Sequence, residues 1–100
     1  MRVDPTPFAE RVLEAVESVP PGQVATYGDI AEALGEGGPR AVGRVMALWG
    51  GGVPWWRVLR ADGTPPPGRE REALRRLAAE GVPLRGDARV DLARCRWAPG

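Results

Sequence analysis

The sequence contains no histidine and no lysine, and its only cysteine is Cys95. One cysteine excludes a disulfide within the chain, and without histidine neither a zinc site nor a cysteine–histidine nucleophile is expected. No apolar run approaches the roughly 20 residues of a membrane-spanning helix, and the N-terminus lacks the basic-then-apolar pattern of a signal peptide. We therefore expect a cytoplasmic protein with no metal site and no membrane contact.

All 14 basic residues are arginines, and they are unevenly distributed. Residues 1–36 hold two arginines and seven acidic residues, whereas residues 37–100 hold twelve arginines and six acidic residues. The net charge of +1 therefore hides an acidic first part and a basic second part. The absence of lysine fits the codon bias of a GC-rich genome, but the basic part also suits an anionic partner such as nucleic acid.

One hundred residues are enough for one domain with its own core. Thr6 and Pro7 resemble an N-cap followed by a first-turn proline, so a first helix is expected to begin there. Its apolar stripe is Phe8, Val12, Ala15, Val16 and Val19. Pro20 to Gly22 end this helix.

A second helix and a third are predicted on either side of a glycine-containing turn. Thr26 and Asp29 stand three residues apart, close to a capping box, and Gly35 ends the second helix. The third covers about residues 40–49, with an apolar side of Ala41, Val42, Val45, Leu48 and Trp49. Arg40, Arg44 and Ala47 share the opposite face, which is typical of a helix-turn-helix, although arginines that are merely solvated give the same pattern.

Two adjacent tryptophans stand in the segment VPWWRVLR, residues 53–60. Neighbouring side chains in an extended segment cannot both point into one core.

An extended stretch, a turn at residues 62–63 and a proline-rich loop at residues 65–68 follow. A fourth helix is expected over residues 69–80, burying Ala73, Leu74, Leu77 and Ala78, and Val90, Leu92 and Trp97 in the tail are expected to pack back as an extended cover.

Three motifs in this order, TYGDIAEALG, PRAVGRVM and VPWWRV, resemble the DNA-binding domain of the O6-alkylguanine-DNA alkyltransferases. The resemblance covers about residues 5–84. In those enzymes the last motif reads Pro-Cys-His-Arg-Val and its cysteine accepts the alkyl group, whereas Trp55 occupies that position here. This replacement resembles the alkyltransferase-like proteins. In many of those proteins histidine or glutamine follows the tryptophan, whereas in this chain the next residue is Trp56.

The resemblance implies one winged helix-turn-helix-like domain over residues 1–100, mainly α with a small β element, in which residues 85–100 are a C-terminal tail. It implies a monomer without enzymatic activity or cofactor that binds O6-alkylguanine in double-stranded DNA and flips the damaged nucleotide into a pocket. It further implies that the protein flags the lesion for nucleotide excision repair through a UvrA-type partner, in the nucleoid-associated part of the cytoplasm.

The resemblance also implies which residues contact DNA. Arg40 intercalates from the start of the third helix, and Tyr27 crowds the phosphate of the rotating nucleotide. The third helix enters the minor groove, where Ala41 and Gly43 let the backbone approach closely, and Arg44 adds positive charge. Gly43 is otherwise an unfavourable choice in mid-helix, costing about 1 kcal/mol relative to Ala.

The implied alkylguanine pocket contains Val53, Pro54, Trp55 and Arg69. The indole of Trp55 offers a stacking surface without a nucleophile, and Arg69, after a proline-rich wall, is expected to approach the O6 region. Trp56 is expected to point away into the core. Arg57 is expected to bind backbone carbonyls or an acid such as Asp62, with a phosphate contact as the alternative.

Two other functions remain open at this stage. A winged helix-turn-helix regulator that reads DNA sequence fits the helix pattern without requiring the pocket. The second alternative is a residual alkyltransferase that uses Cys95 as its acceptor. Against it, no histidine is available to lower the pKa of the thiol, so Cys95 is expected to be a small, partly buried tail residue.

Overall fold

The computed structural model describes residues 4–86 and 88–99 of the chain. Its helices are α1 (Pro7–Glu17), α2 (Tyr27–Leu34), α3 (Pro39–Trp49), α4 (Glu70–Ala79) and α5 (Leu92–Cys95), and its strands are β1 (Ala25–Thr26), β2 (Val58–Leu59), β3 (Leu84–Arg85) and β4 (Arg89–Val90). The predicted class, mainly α with a small β element, is confirmed. None of the described helices is long and apolar enough to cross a membrane.

The first helix begins where the sequence predicts. The Thr6 hydroxyl accepts a hydrogen bond from the amide of Ala9, and Pro7 occupies the first turn, where its missing N–H costs nothing. Ala9, Val12 and Val16 are buried along one face. The helix ends at Glu17, ahead of the prolines that cannot continue it.

Helices α2 and α3 form the predicted helix-turn-helix. Thr26 and Asp29 make a complete capping box, in which each side chain accepts from the other residue's amide. Gly35 ends α2 at a φ of 72°, in the left-handed region that favours glycine. Both helices pack on α1 around one hydrophobic core.

One predicted core position on α3 is wrong. Val42 and Val45 are buried, but the side chain of Leu48 is 64% exposed. Leu48 follows Arg44 by four residues and therefore shares the exposed face of that arginine. Trp49 is half-buried and takes the inward position beside this core.

The structure has two small sheets, one of which joins the second half of the chain to the first. Strand β1 pairs with β2 in parallel, with Thr26 opposite Leu59, and β3 pairs with β4 in an antiparallel hairpin. An isolated bridge between Val24 and Arg96 attaches the tail beside β1. Val90 is buried as expected, but the tail also contains α5, which its irregular apolar pattern did not predict.

Helix α4 packs against a second core next to the tail. Ala73 and Leu77 are buried as expected, whereas Ala78 is exposed and Leu74 is half-buried, so the buried stripe is narrower than predicted. The second core contains Val24, Leu59, Leu77, Val82, Val90 and Cys95. The segment that carries both tryptophans lies between α3 and α4.

Candidate nucleic-acid interface

A cavity of about 660 Å³ opens where the end of α3 meets the tryptophan segment and the proline-rich loop. Its lining is Tyr27, Gly43, Met46, Ala47, Leu48, Gly50, Gly51, Trp55, Pro66, Pro67 and Arg69. The walls are mostly apolar, with one cation and one phenol. A space of this kind suits a flat, largely apolar guest that carries a few polar atoms.

The two tryptophans face different surroundings because a short 3-10 helix, Trp55–Arg57, turns the chain between them. Their rings meet edge to face at 88°, with centroids 5.8 Å apart. Trp55 is 7% exposed and lines the cavity, whereas Trp56 packs beside the second core. Trp56 is only partly buried. Its indole N–H donates to Glu80, and the guanidinium carbon of Arg76 lies 4.5 Å from its ring centroid.

Arg57, the last residue of this 3-10 helix, connects the turn to two distant segments. Its Nε and Nη2 donate to the carboxylate of Glu80 at 3.0 and 2.6 Å, and its Nη1 donates to the carbonyl of Val19. The hydrogen bonds from Arg57 keep the pKa of Glu80 below its usual value, although burial opposes them. The expectation that Arg57 binds backbone carbonyls or an acid is met, but the acid is Glu80; Asp62 accepts instead from Thr64.

Arg69 covers the ring of Trp55. Its guanidinium carbon lies 3.8 Å from the ring centroid, and its Nη2 donates to Glu72 at 3.0 Å. Cation–π contacts of this kind contribute about 0.5–1 kcal/mol at exposed sites. Arg69 therefore stands at the cavity wall, where its cationic group can approach a polar atom on a guest.

Tyr27 and residues of α3 also line the cavity. Tyr27 begins α2 directly after β1, and burial raises the pKa of its phenol, so that it stays neutral and able to donate. Gly43 lines the cavity, and a Cβ built on it meets no atom within 4 Å. Arg40 and Arg44 are exposed on α3 and form no ion pair with any residue in the described ranges.

The structure brings together only part of the predicted site. Four predicted residues line the cavity: Tyr27, Gly43, Trp55 and Arg69. Arg40, Ala41 and Arg44 lie along α3 outside the lining. Val53 and Pro54, predicted for the pocket, are absent from its lining; Val53 packs against the first core and Pro54 is buried.

Sequence reasoning missed Met46, Leu48, Gly50 and Gly51 as lining residues. The signal for Leu48 was present in its spacing of four from Arg44. The three consecutive glycines after α3 predicted the end of that helix, but they did not predict that this segment lines the cavity. They form a 3-10 turn, Gly50–Gly52, that brings the backbone to the cavity edge.

The cavity lining contains no thiol or other strong nucleophile among the residues described. Cys95 lies in the second core, its Sγ–H donates to the carbonyl of Asp91, and burial raises the pKa of its thiol. A thiol that is buried and protonated reacts poorly. Within the same ranges, no group of three or more acidic or cysteine side chains is placed to hold a metal ion.

Comparison with known proteins agrees with this geometry. The family model of the 6-O-methylguanine DNA methyltransferase DNA-binding domain matches residues 7–82. The DNA base-flipping protein of Escherichia coli (strain K12) is 39% identical, over 90% of this chain and 74% of that protein. Alkyltransferase-like protein 1 of Schizosaccharomyces pombe is 34% identical, over 99% of this chain and all of that protein.

A solved structure matches nearly the whole chain. The crystal structure of S. pombe Atl1 in complex with damaged DNA containing O6-carboxymethylguanine aligns with a TM-score of 0.83 and 33% sequence identity, covering 99% of this chain and 100% of that one. The resemblance predicted from the three sequence motifs is confirmed.

Proposed function

The chain belongs to the family of the 6-O-methylguanine DNA methyltransferase DNA-binding domain, and from that membership we propose that it is a non-enzymatic sensor of O6-alkylguanine in duplex DNA. The observation that carries the proposal is the buried ring of Trp55 at the wall of an apolar cavity beside α3. Two relatives support the same class of partner. One is named a DNA base-flipping protein, and the other is described in complex with damaged DNA.

In the proposed mechanism, α3 docks in the minor groove and the damaged nucleotide rotates out of the stack into the cavity. Rotation costs a few kcal/mol, and less where the lesion already weakens the base pair. Arg40, at the exposed start of α3, fills the vacated space with its planar guanidinium, which can stack on bases and donate to the orphaned partner. Tyr27 stands at the cavity edge, where the phosphate of the rotating nucleotide would pass.

Inside the cavity, Trp55 supplies the stacking face and Arg69 a cation near the exocyclic oxygen. Base–aromatic stacking contributes about 1–3 kcal/mol per base. Met46, Leu48 and Pro66 line the apolar part that would receive an alkyl group. Because no thiol lines the cavity among the described residues, the alkyl group stays on the base.

A bound lesion that is not repaired has to be removed by other proteins. We infer that the complex recruits nucleotide excision repair through a UvrA-type protein, since excision removes a damaged nucleotide whatever its alkyl group. This step rests on the resemblance to alkyltransferase-like proteins. Adding the protein to a reconstituted excision reaction is expected to increase incision at O6-methylguanine, and an unchanged incision rate would remove the step from the proposal.

The central test compares binding to matched duplexes that differ only in guanine or O6-methylguanine, at one salt concentration. We expect tighter binding to the damaged duplex, and mass spectrometry after incubation is expected to show no added alkyl mass. Equal affinities would refute lesion recognition, and an added alkyl mass would refute the non-enzymatic assignment. Selection from random duplexes separately tests the sequence-reading alternative, which requires one strong consensus.

The role of Arg40 gives a separate prediction. Arg40→Ala is expected to weaken binding to the damaged duplex about tenfold or more, because the vacated stack is no longer filled. Arg40→Lys, which keeps the charge and loses the planar group, is the matched control. Intercalation predicts that both variants lose affinity, whereas full retention by Arg40→Lys would leave only a charge contact.

A further inference from the structure

The arginines of this chain divide into two groups. One group forms ion pairs with carboxylates inside the fold and consists of Arg11, Arg57, Arg69, Arg76 and Arg96. Others are exposed and form no ion pair within the described ranges, among them Arg40 and Arg44 on α3. Arg60 and Arg89 belong to this second group but lie on other elements.

The parallel pairing of β1 with β2 determines the position of Arg60. Thr26 stands opposite Leu59, and the next residues along the two strands are Tyr27 and Arg60. Arg60 is thus placed beside Tyr27, whose phenol pKa it lowers against the larger opposing effect of burial. Tyr27 lines the cavity, and Arg60 is a charged neighbour of Tyr27 outside that lining.

Arg89 is brought to the turn that follows Arg60 by the contact between the β3–β4 hairpin and this turn, and both arginines lie close enough to lower the pKa of Asp62. The Val90 amide donates to the Gly63 carbonyl at 2.9 Å. Gly63 has a φ of 86°, and a Cβ there would lie 2.7 Å from the Val90 carbonyl oxygen and 3.2 Å from the Arg89 side chain. Only glycine permits this close approach of the turn to the hairpin.

Asp62 is the carboxylate of the turn after β2. Asp62 accepts from the amide and hydroxyl of Thr64, and these bonds, followed by the charges of Arg89 and Arg60, lower its pKa. Asp62 forms no ion pair with either arginine within the described ranges. Neither Arg60 nor Arg89 is ion-paired among the described residues, so both guanidinium groups remain available to an outside anion.

We infer that Arg60 and Arg89 form a backbone-binding strip that contacts DNA phosphates on the side of Tyr27 away from the α3 arginines. The inference rests on the proposed function, because it assumes that duplex DNA covers the cavity. Phosphates recur along each strand, so contacts on both sides of the opening hold the duplex while one nucleotide rotates between them. The strip positions the duplex and does not discriminate the lesion.

The experiment measures affinity against salt concentration for Arg60→Gln, Arg89→Gln and the double variant, on duplexes with guanine and with O6-methylguanine. Glutamine keeps most of the length and removes the charge. Each lost phosphate contact is expected to reduce the slope of log affinity against log salt by about 0.9, and the double variant by about 1.8. Affinity falls by the same factor for both duplexes, so their ratio is unchanged.

Arg11→Gln is the control for losing one exposed arginine away from the strip; unlike Arg60 and Arg89, Arg11 is ion-paired, with Glu36, and lies on α1 in the acidic part of the chain. We expect it to leave the slope unchanged, and Arg60→Lys and Arg89→Lys to retain the wild-type slope. Wild-type slopes in the glutamine variants, slope losses equal to that of the control, or a selective loss for the damaged duplex would each overturn the inference. If the wild type shows no lesion preference, the proposed function fails, while the slopes on undamaged DNA still decide about the strip.

Discussion

At the scale of single residues, Trp55 and Trp56 show how one turn gives neighbouring identical side chains different surroundings. Trp55 lines the cavity beneath Arg69, while the indole N–H of Trp56 donates to Glu80. The chain contains no histidine, so neither ring has an imidazole beside it.

Replacing Trp55 tests the proposed stacking surface. Trp55→Leu keeps an apolar side chain but removes the aromatic face, so binding to O6-methylguanine duplexes is expected to weaken by about 1–3 kcal/mol, or roughly 5- to 150-fold. Affinity for undamaged duplexes should be unchanged, as measured by fluorescence anisotropy. Trp55→Phe, which retains an aromatic face, serves as the control. Loss of affinity for both duplexes alike would contradict a role in holding the base.

At the scale of elements, local sequence signals predicted the helix ends well. Thr6 and the Thr26–Asp29 capping box act through bonds to residues three positions away, so nearby sequence determines them. The exposed position of Leu48 was readable from its spacing of four from Arg44, whereas the formation of α5 depends on contacts with distant segments, which local spacing does not contain. The same holds for the cavity, whose walls come from α2, α3, the tryptophan turn and the proline loop.

Gly43 on α3 gives a prediction in which stability and binding change in opposite directions. A Cβ at this position meets no atom within 4 Å, so Gly43→Ala is expected to raise the free energy of unfolding by about 0.5–1 kcal/mol. The same methyl group would hold the backbone of α3 away from the floor of the minor groove and weaken DNA binding. Urea unfolding and duplex binding measure the two effects.

Gly51, a second glycine with no atom within 4 Å of a built Cβ, lies outside the helix and is the matched control. Gly51→Ala should not produce the helix stabilisation expected for Gly43→Ala. If Gly43→Ala stabilised the protein and bound DNA as tightly as the wild type, α3 would not approach the groove at Gly43.

At the scale of the whole molecule, two of the ion pairs that connect distant segments of the sequence attach the second half of the chain to the first or to the tryptophan turn. Arg57 binds Glu80 across 23 residues, and Arg96 binds Asp29 across 67 residues. The Asp29 carboxylate also accepts the Thr26 amide, so the tail is attached to the start of α2. The sequence predicted a partner for Arg57 but not its identity, because long-range pairing depends on the completed fold.

These pairs predict how stability depends on pH. Glu80 has its pKa lowered by hydrogen bonds from Arg57, and in Asp29 bonds from Arg96 and Thr26 outweigh the opposing effect of burial. A carboxyl whose pKa is lower in the folded state stabilises fully above its unfolded pKa, about 4.3 for Glu and 3.9 for Asp, and this stabilisation is lost as the pH falls through the folded value. The free energy of unfolding should therefore decrease below about pH 5.

Urea unfolding at several pH values measures this dependence. Glu80→Gln removes one of the two groups, so it should lower stability at pH 7 by about 1.5–3 kcal/mol and make the acid-side decrease shallower. Glu10→Gln, at an exposed position on α1, is the control and should keep the wild-type dependence. An acid-side decrease in Glu80→Gln as steep as in the wild type would show that Glu80 does not contribute to it.

The guanidinium of Arg69 lies 3.8 Å from the centroid of the Trp55 indole. In the proposed mechanism, a purine that stacks on the same face displaces this cation, so its net gain is the difference between two stacking partners. Glu72 accepts a hydrogen bond from Arg69, so part of the free energy needed to move Arg69 off the indole is the loss of this bond.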